Sequence, residues 1–247
     1  MGARMLERLE LVRMEPRVIV DAGSGPGRDA ARLADRYKPA TVVAIDFSQR
    51  MLRAAPRRWN PFARRRVEPL CADLVRLPLA SGSVDFLWSN MALHWVDAQA
   101  GLAEFSRVLR PEGLLMFSTL GPDTLKELRA AAGEERVHGF VDMHDLGDML
   151  VAAGFTAPVM DMEVITFTYV DADALLSDLR ASGQTCARAD RPRGLSGRRF
   201  LTDVTSRAGT RATFEVVYGH AWKGTPRKLG DRSDIVQFHA TRSARRK

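Results

Sequence analysis

Two cysteines in 247 residues, Cys71 and Cys186, are too few for a disulfide framework and have no metal-binding spacing. No apolar run approaches the length of a bilayer span, so no membrane helix is expected. The first twenty residues mix Arg with Glu throughout, unlike a secretion signal. These absences point to a reduced, cytoplasmic setting. A recognition-helix pattern, an aromatic stacking motif and internal repeats are also missing, so nucleic acid is not the expected partner.

Positive charge is plentiful but uneven. Of the formal +7, Arg53–Arg66 carries +6, Arg188–Arg211 +5 and Lys223–Lys247 +6, leaving the rest of the chain strongly acidic. The ending "TRSARRK" reads as a solvated basic tail. At 45% hydrophobic and 27% charged residues the chain is an ordinary globular one, long enough for one large core.

The first half alternates. Strand-like runs are "RVIVDAG", "TVVAIDF", "RVEPLCAD", "SVDFLWSN" and "GLLMFSTL", with helical patterns between them, clearest at Arg28–Tyr37 and Ala98–Leu109. Alternation with short connections predicts an α/β fold with a doubly wound, mostly parallel sheet. Pro111 and Gly113 punctuate a helix stop before a strand. Beyond Leu120 the spacing predicts helices at Asp123–Ala132, Asp145–Ala153 and Ala172–Ala181, a strand over Val159–Tyr169, a polar Arg-rich segment, and a last strand "TFEVVYGHAW". We read one domain: residues 1–120 as its cofactor half, 121–223 as its substrate half with a helical elaboration, and 224–247 as a basic tail.

The segment "VIVDAGSGPGRDA" runs from an apolar strand through Gly23, Gly25 and Gly27 into a helical pattern. Such a turn brings backbone close to a ligand, and the helix start adds partial positive charge. Gly25 to Ala30 formally fits the G-x-G-x-x-A dinucleotide fingerprint, with Asp46 placed for a ribose. Asp21, however, precedes the glycines, where it would repel a pyrophosphate and hold a cation. No Tyr-x-x-x-Lys or other hydride-transfer constellation follows. Acids at the ends of two strands suit a ligand with a positive amino-acid end and a ribose; S-adenosyl-L-methionine is one, and it has no phosphate.

In order and spacing these motifs resemble the class I S-adenosylmethionine-dependent methyltransferases from Val18 to Leu120. The resemblance implies that Asp21, Gly23, Gly25 and Gly27 approach the methionine part, although Ser24 and Pro26 replace the commoner Cys and Thr. It implies that Asp46 accepts both ribose hydroxyls with Phe47 beyond it, and that Asp73 reads the adenine amino group with Leu74 beside the ring. "VDFLWSNMALHWV" then places Asn90 near the cofactor and His94 on the substrate side. Simpler readings accompany each. Asp46 could cap the next helix, although Ser48 makes that redundant. Asp73 could serve only in a turn, and His94 beside Trp95 could be a packing residue. His138 and His144 flank "GFVDM" without a third ligand and read as structural. Met143, Met149, Met160 and Met162 read as core filler.

The second half narrows the family. "FSTLGPDTLKELR", "DMHDLGDMLVAAGF", "PVMDMEVITFTY", "LLSDLRASGQTC" and "EVVYGHAW" together resemble the malonyl-acyl carrier protein O-methyltransferases of biotin synthesis. The resemblance implies methylation of the free carboxylate of a malonyl thioester carried on acyl carrier protein. Relatives include a mitochondrial assembly factor linked to arginine hydroxylation, and a non-catalytic binding role is a further alternative, because fold does not fix chemistry. No Ser-His-Asp, Cys-His or paired-carboxylate arrangement is evident. A carboxylate nucleophile needs none; it needs alignment, exclusion of water and a clamp. His94, Arg129 and the Arg198–Arg199 pair are the candidates for that clamp.

Two further expectations follow. Arg191, Arg193, Arg198 and Arg199 should include the docking residues for an acidic carrier, while Arg57 and Arg58 should not. Relatives usually carry an additional amino-terminal segment that shields the methyl group. Here "MGARMLERLELVRMEP" provides one helix, expected to pack through Leu6, Leu9 and Leu11, and the expectation is good cofactor binding with poor turnover.

Overall fold

The structure, a computed structural model, describes residues 1–10, 12–55, 66–184, 186, 188, 190, 192, 194 and 197–225, with the backbone alone at 66, 198 and 201. Leu11, Arg57, Arg58, Arg191, Arg193, the side chain of Arg198 and nearly all of the basic tail lie outside the described residues.

The chain opens with helix α1 (Gly2–Leu9), then alternates β1 (Val18–Ala22), α2 (Arg28–Arg36), β2 (Thr41–Asp46), α3 (Gln49–Arg53), β3 (Arg66–Cys71) and β4 (Val84–Asn90). A 3-10 turn at Leu93–Trp95 leads into α4 (Ala98–Val108) and β5 (Leu109–Leu120). There follow α5 (Lys126–Ala132), α6 (Met143–Ala152), β6 (Phe155–Thr168), α7 (Ala172–Ala181), α8 (Arg198–Ala208) and β7 (Arg211–Lys223). The strands form one seven-stranded sheet in the order β3-β2-β1-β4-β5-β7-β6. β1 to β5 are parallel, and β7 runs antiparallel between β5 and β6. The doubly wound, mostly parallel α/β sheet is therefore present.

Successive strand residues point to opposite faces, and here both faces are covered, which explains the near-continuous apolar runs. Val20, Leu87, Leu115 and Phe117 pack with Leu102 and Phe105 of α4 and Leu150 of α6. Ile19, Phe86, Trp88 and Leu114 pack on the other face with Leu33 of α2 and with Met5 and Leu9 of α1. The eight strand residues named here, from the adjacent β1, β4 and β5, are all fully buried. Burying each stabilises the fold by roughly 1.5–3 kcal/mol.

Several expectations are corrected. α1 docks through Leu9, with Leu6 packed partly buried against the same core, as expected, but Met5, one turn before Leu9, is the second buried anchor. Its outer side is tied to β6 by the pairs Arg4–Glu163 and Arg8–Asp161, and Arg8 stacks 4.0 Å over the Tyr218 ring. The helix expected from Asp123 begins at Lys126, and β6 starts at Phe155 rather than near Val159, with an irregularity between Thr156 and Val159. The polar Arg-rich segment ends in a helix, α8, whose Val204 and Ala208 pack on Ala131 and Leu128 of α5. Met143, Met149 and Met160 do fill core edges, whereas Met162 lies exposed on the outermost strand.

Candidate active site

The ends of β1, β2, β4 and β5 open on one edge of the sheet, where open α/β sheets bind ligands. Three cavities run along it. The first, about 360 Å³, is lined by Gly2, Asp21, Gly23, Gly25, Asp29 and Asn90 among others. The second, about 450 Å³, shares Gly23 and adds Asp46, Phe47, Asp73, Leu74, Met91 and Trp95. The third, about 210 Å³, shares Trp95 and Val96 and adds His94, Thr119, His138 and Phe140. A larger cleft of about 1260 Å³ lies at the opposite end of the strands, around Arg17, Tyr37 and Ala40, away from every strand-end acid.

The glycine loop is shaped by two requirements. Gly23 has φ +80°, and a β-carbon there would overlap that of Ala92, so the loop lies directly against the β4 turn. Its N–H and that of Ser24 both donate to the Ile45 carbonyl at 2.8 Å, locking the loop to β2. Gly25 has φ +52°, and a β-carbon there would meet nothing within 4 Å. The space beside it is open to a ligand. Gly27, also left-handed at φ +73°, starts α2 without a side-chain cap.

Around this loop stand three acids. Asp21 is 1% exposed, and burial, followed by the nearby Asp29, pushes its carboxyl well above the usual range while Asp46 adds to the effect. An N–H of Ala30 opposes the shift. Its Oδ2 has no hydrogen-bond partner among the described residues. A buried carboxylate without a partner is costly, and a cationic ligand would relieve it. Asp29 accepts from Asn90 Nδ2 at 2.7 Å and Trp88 Nε1 at 3.4 Å. Ser118 donates to Asn90 Oδ1 at 2.8 Å, so Asn90 is held from both sides.

Asp46 accepts the Gly25 N–H at 2.8 Å with one oxygen and the Ser48 N–H at 2.7 Å with the other. Each oxygen keeps a second lone pair for a ligand hydroxyl. Ser48 caps α3 by accepting from Met51 N–H, as its position suggested. Phe47, 77% exposed, stands beside the second cavity. Asp73 accepts the Val75 N–H at 3.1 Å in a turn and borders the same cavity, with Leu74 buried next to it. The turn role and the ligand-facing position coexist in one residue. This set fits S-adenosylmethionine: an orphaned carboxylate for its positive end, an open glycine, and acids toward the ribose and adenine. A pyrophosphate would meet three carboxylates.

The clamp candidates separate clearly. His94 is 9% exposed, and burial with His138 beside it lowers its pKa to about 4. It is a neutral hydrogen-bonding group at physiological pH, not a cation. Its Nδ1 lies 3.4 Å from Thr119 Oγ1, while its Nε2 is buried without a partner among the described residues. His138 donates from Nε2 to the His94 carbonyl at 2.7 Å. Arg129 donates to the carbonyls of Pro122, Thr124 and His138 at 2.9, 3.2 and 3.4 Å. Its Nε lies 3.7 Å from Glu134, yet it is buried without a hydrogen bond among the described residues. Arg199, exposed on α8, borders none of the three cavities. His144 is exposed and paired with Asp142. No group of His, Cys, Asp and Glu suited to a metal occurs among the described residues. Asp29, Thr119 and His138 were not singled out as site residues in the sequence; only tertiary contact gives them a role.

Residues 20–117 match the family model described as methyltransferase domain. The YcgJ protein of Bacillus subtilis shares the fold, with a TM-score of 0.68 at 14% identity over 92% of this chain and all of that one. A putative methyltransferase of Bacillus halodurans does so at 0.63 and 18%, over 91% of this chain and 99% of that one. Among curated proteins, malonyl-acyl carrier protein O-methyltransferase of Methylovorus sp. is 47% identical over 98% of this chain and 87% of its own length. That of Laribacter hongkongensis is 49% identical over 96% and 86%. With its glycine loop, strand-end acids and nearly full-length similarity, the chain belongs to the malonyl-acyl carrier protein O-methyltransferase family of class I, S-adenosylmethionine-dependent enzymes.

Proposed function

We propose that this chain methylates the free carboxylate of malonyl-acyl carrier protein in biotin synthesis. When bound, S-adenosylmethionine supplies a methyl group on a sulfonium, whose transfer to a carboxylate oxygen makes an O–C bond, breaks a C–S bond and moves no proton. The chain's own residues bind and orient. Asp21, beneath Gly23 and Gly25, faces the positive end; Asp46 and Phe47 hold the ribose side; Asp73 and Leu74 hold the adenine. Asn90, fixed by Asp29 and Ser118, sets the β4 turn between cofactor and acceptor.

The observation that carries this reading is the continuity of the acid-lined cavities with the one at His94, through the shared Trp95 and Val96. An already ionised acceptor needs no general base, and such positioning is worth roughly 7–11 kcal/mol. We assign the chain a single methyltransferase domain with 1–120 as the cofactor half and 121–223 as the substrate half. Among the described residues no helix is long and apolar enough to cross a membrane. The thiols Cys71 and Cys186, not joined in a disulfide, suit a reducing compartment, and we place the reaction in the cytoplasm. The test is turnover on malonyl-loaded against acetyl-loaded carrier. Methylation of the malonyl form alone is expected, and equal methylation of both would remove the carboxylate as acceptor.

A further inference from the structure

The third cavity is lined by a residue with a buried hydrogen-bonding atom that has no partner among the described residues. The residue is His94 and the atom its Nε2, while Nδ1 lies 3.4 Å from the Thr119 hydroxyl. Aromatic rings form part of the wall, the His94 ring lying 5.0 Å from that of Trp95 and 5.8 Å from that of Phe140, with Asp97 and His138 also lining the cavity. A neutral imidazole has one N–H and one lone pair. A hydroxyl can donate or accept, so Thr119 tolerates either tautomer, whereas a carboxylate can only accept. A carboxylate in this cavity therefore selects Nε2–H, with Thr119 donating to Nδ1.

We propose that His94 holds the reacting carboxylate as an uncharged donor through Nε2, in the tautomer completed by Thr119, so that no fixed cation clamps the nucleophile. This rests on the methyl-transfer reading above. Its physical basis is the loss of charge along the reaction. A carboxylate and a sulfonium begin as opposite charges and end as a neutral ester and thioether. A fixed cation would stabilise the starting carboxylate more than the transition state and so slow the step. A neutral donor orients the oxygen with less of that penalty, and exclusion of water strengthens the attraction between the reacting charges. The lowered pKa of His94 agrees with its staying uncharged. His138 on the neighbouring loop and Asp97 before α4 are the titratable groups lining the same cavity; β5 contributes Thr119 and α6 contributes Leu146. Arg129 stands one carbonyl away, bonded to the backbone of His138.

The test uses the whole chain with malonyl-acyl carrier protein. His94→Phe should lower kcat/KM by roughly ten- to a hundredfold with cofactor affinity by calorimetry unchanged. His94→Gln, which keeps an N–H donor, should restore much of the loss. Thr119→Val should lower kcat/KM and Thr119→Ser should not. Histidine-selective NMR should show a neutral His94, with Nε2–H favoured on binding malonyl carrier and less so in Thr119→Val. Across about pH 5.5–8.5, where an ordinary imidazole titrates, any inflection in kcat/KM should persist in His94→Gln. Parent-level kcat/KM in His94→Phe, or a fall of activity with rising pH that His94→Gln abolishes, would overturn the proposal. A parent chain unable to methylate malonyl carrier would instead remove the reading on which it rests.

Discussion

The Asp46 carboxylate, at the end of β2, accepts the Gly25 N–H of the loop that follows β1 at a distance of 2.8 Å. One side chain thus both shapes the glycine loop and faces the cavity that loop borders. Asp46→Ala should weaken S-adenosylmethionine binding at least about tenfold, because charge-assisted hydrogen bonds contribute roughly 1.5–3 kcal/mol each. Asp46→Asn retains an acceptor for one N–H and should fall between. Calorimetry with a folded Asp46→Ala protein of unchanged affinity would remove the assignment, and measurable NADH binding by the parent would favour the dinucleotide reading.

Asp21 opposes stability in the protein without ligand. Its folded-state pKa is raised by burial, so protonation favours the fold, and its contribution falls as pH rises from about 3.8 through the folded value. Asp21→Asn should accordingly raise the melting temperature at neutral pH and weaken cofactor binding. A cation bound nearby favours the carboxylate, so affinity should increase with pH in the parent and not in Asp21→Asn. Melting curves and calorimetry at several pH values measure both effects. A variant both less stable and equally tight would contradict this role.

The two loop glycines should respond differently. Gly25→Val fills open space and places a branched residue in the left-handed region, costing on the order of 1–2 kcal/mol of stability. The chain should fold but bind cofactor poorly. Gly23→Ala drives a methyl group into Ala92, and the combined variant Gly23→Ala with Ala92→Gly should recover part of the lost stability. Purely additive losses in that pair would argue against the packing described.

His94 gives a stability signature separate from activity. Its pKa is near 6.5 unfolded and about 4 folded. The unfolded chain therefore binds the proton first, and stability is lost as pH falls from about 6.5 to 4. The loss attributable to this group is about 3 kcal/mol. Denaturant titrations of the parent and His94→Gln should differ in slope between about pH 6.5 and 4, the parent losing stability as pH falls and the variant showing the flatter profile. Parallel profiles would mean that His94 is not held neutral by the fold.

Carrier docking is tested by charge. Reversal at Arg198 and Arg199, at the start of α8, should raise the apparent KM for malonyl carrier, most strongly at low salt. Reversal at Arg57 and Arg58 should barely alter it. The opposite pattern would place the carrier elsewhere.

Most of the sheet was legible because its strands are short apolar runs closed by distinctive residues, as in "VIVDAG" and "VVAIDF". Asp46 stood out because strand ends in this fold are where ligands lie, whereas Asp73 was marked only by the family resemblance. α8 was hidden: its Phe200, Val204 and Ala208 form a narrow stripe among cations, and Gly197 supplies no side-chain cap. Asp29 carries no sequence signal beyond its place in the first turn of α2, since Trp88 and Asn90 reach it only through the packing of β4 beside β1. The neutrality of His94 was likewise invisible, because it depends on burial and on His138, 44 residues away. Met162 misled because an outermost strand leaves one of its faces partly uncovered.

The most direct measurement of the central claim is mass spectrometry of malonyl-acyl carrier protein after incubation with this chain and cofactor labelled in its methyl group. One labelled methyl on the malonyl group is expected, released as labelled methanol by mild alkaline hydrolysis because it is an ester. An unlabelled carrier, or a labelled methyl that resists hydrolysis, would contradict carboxyl methylation.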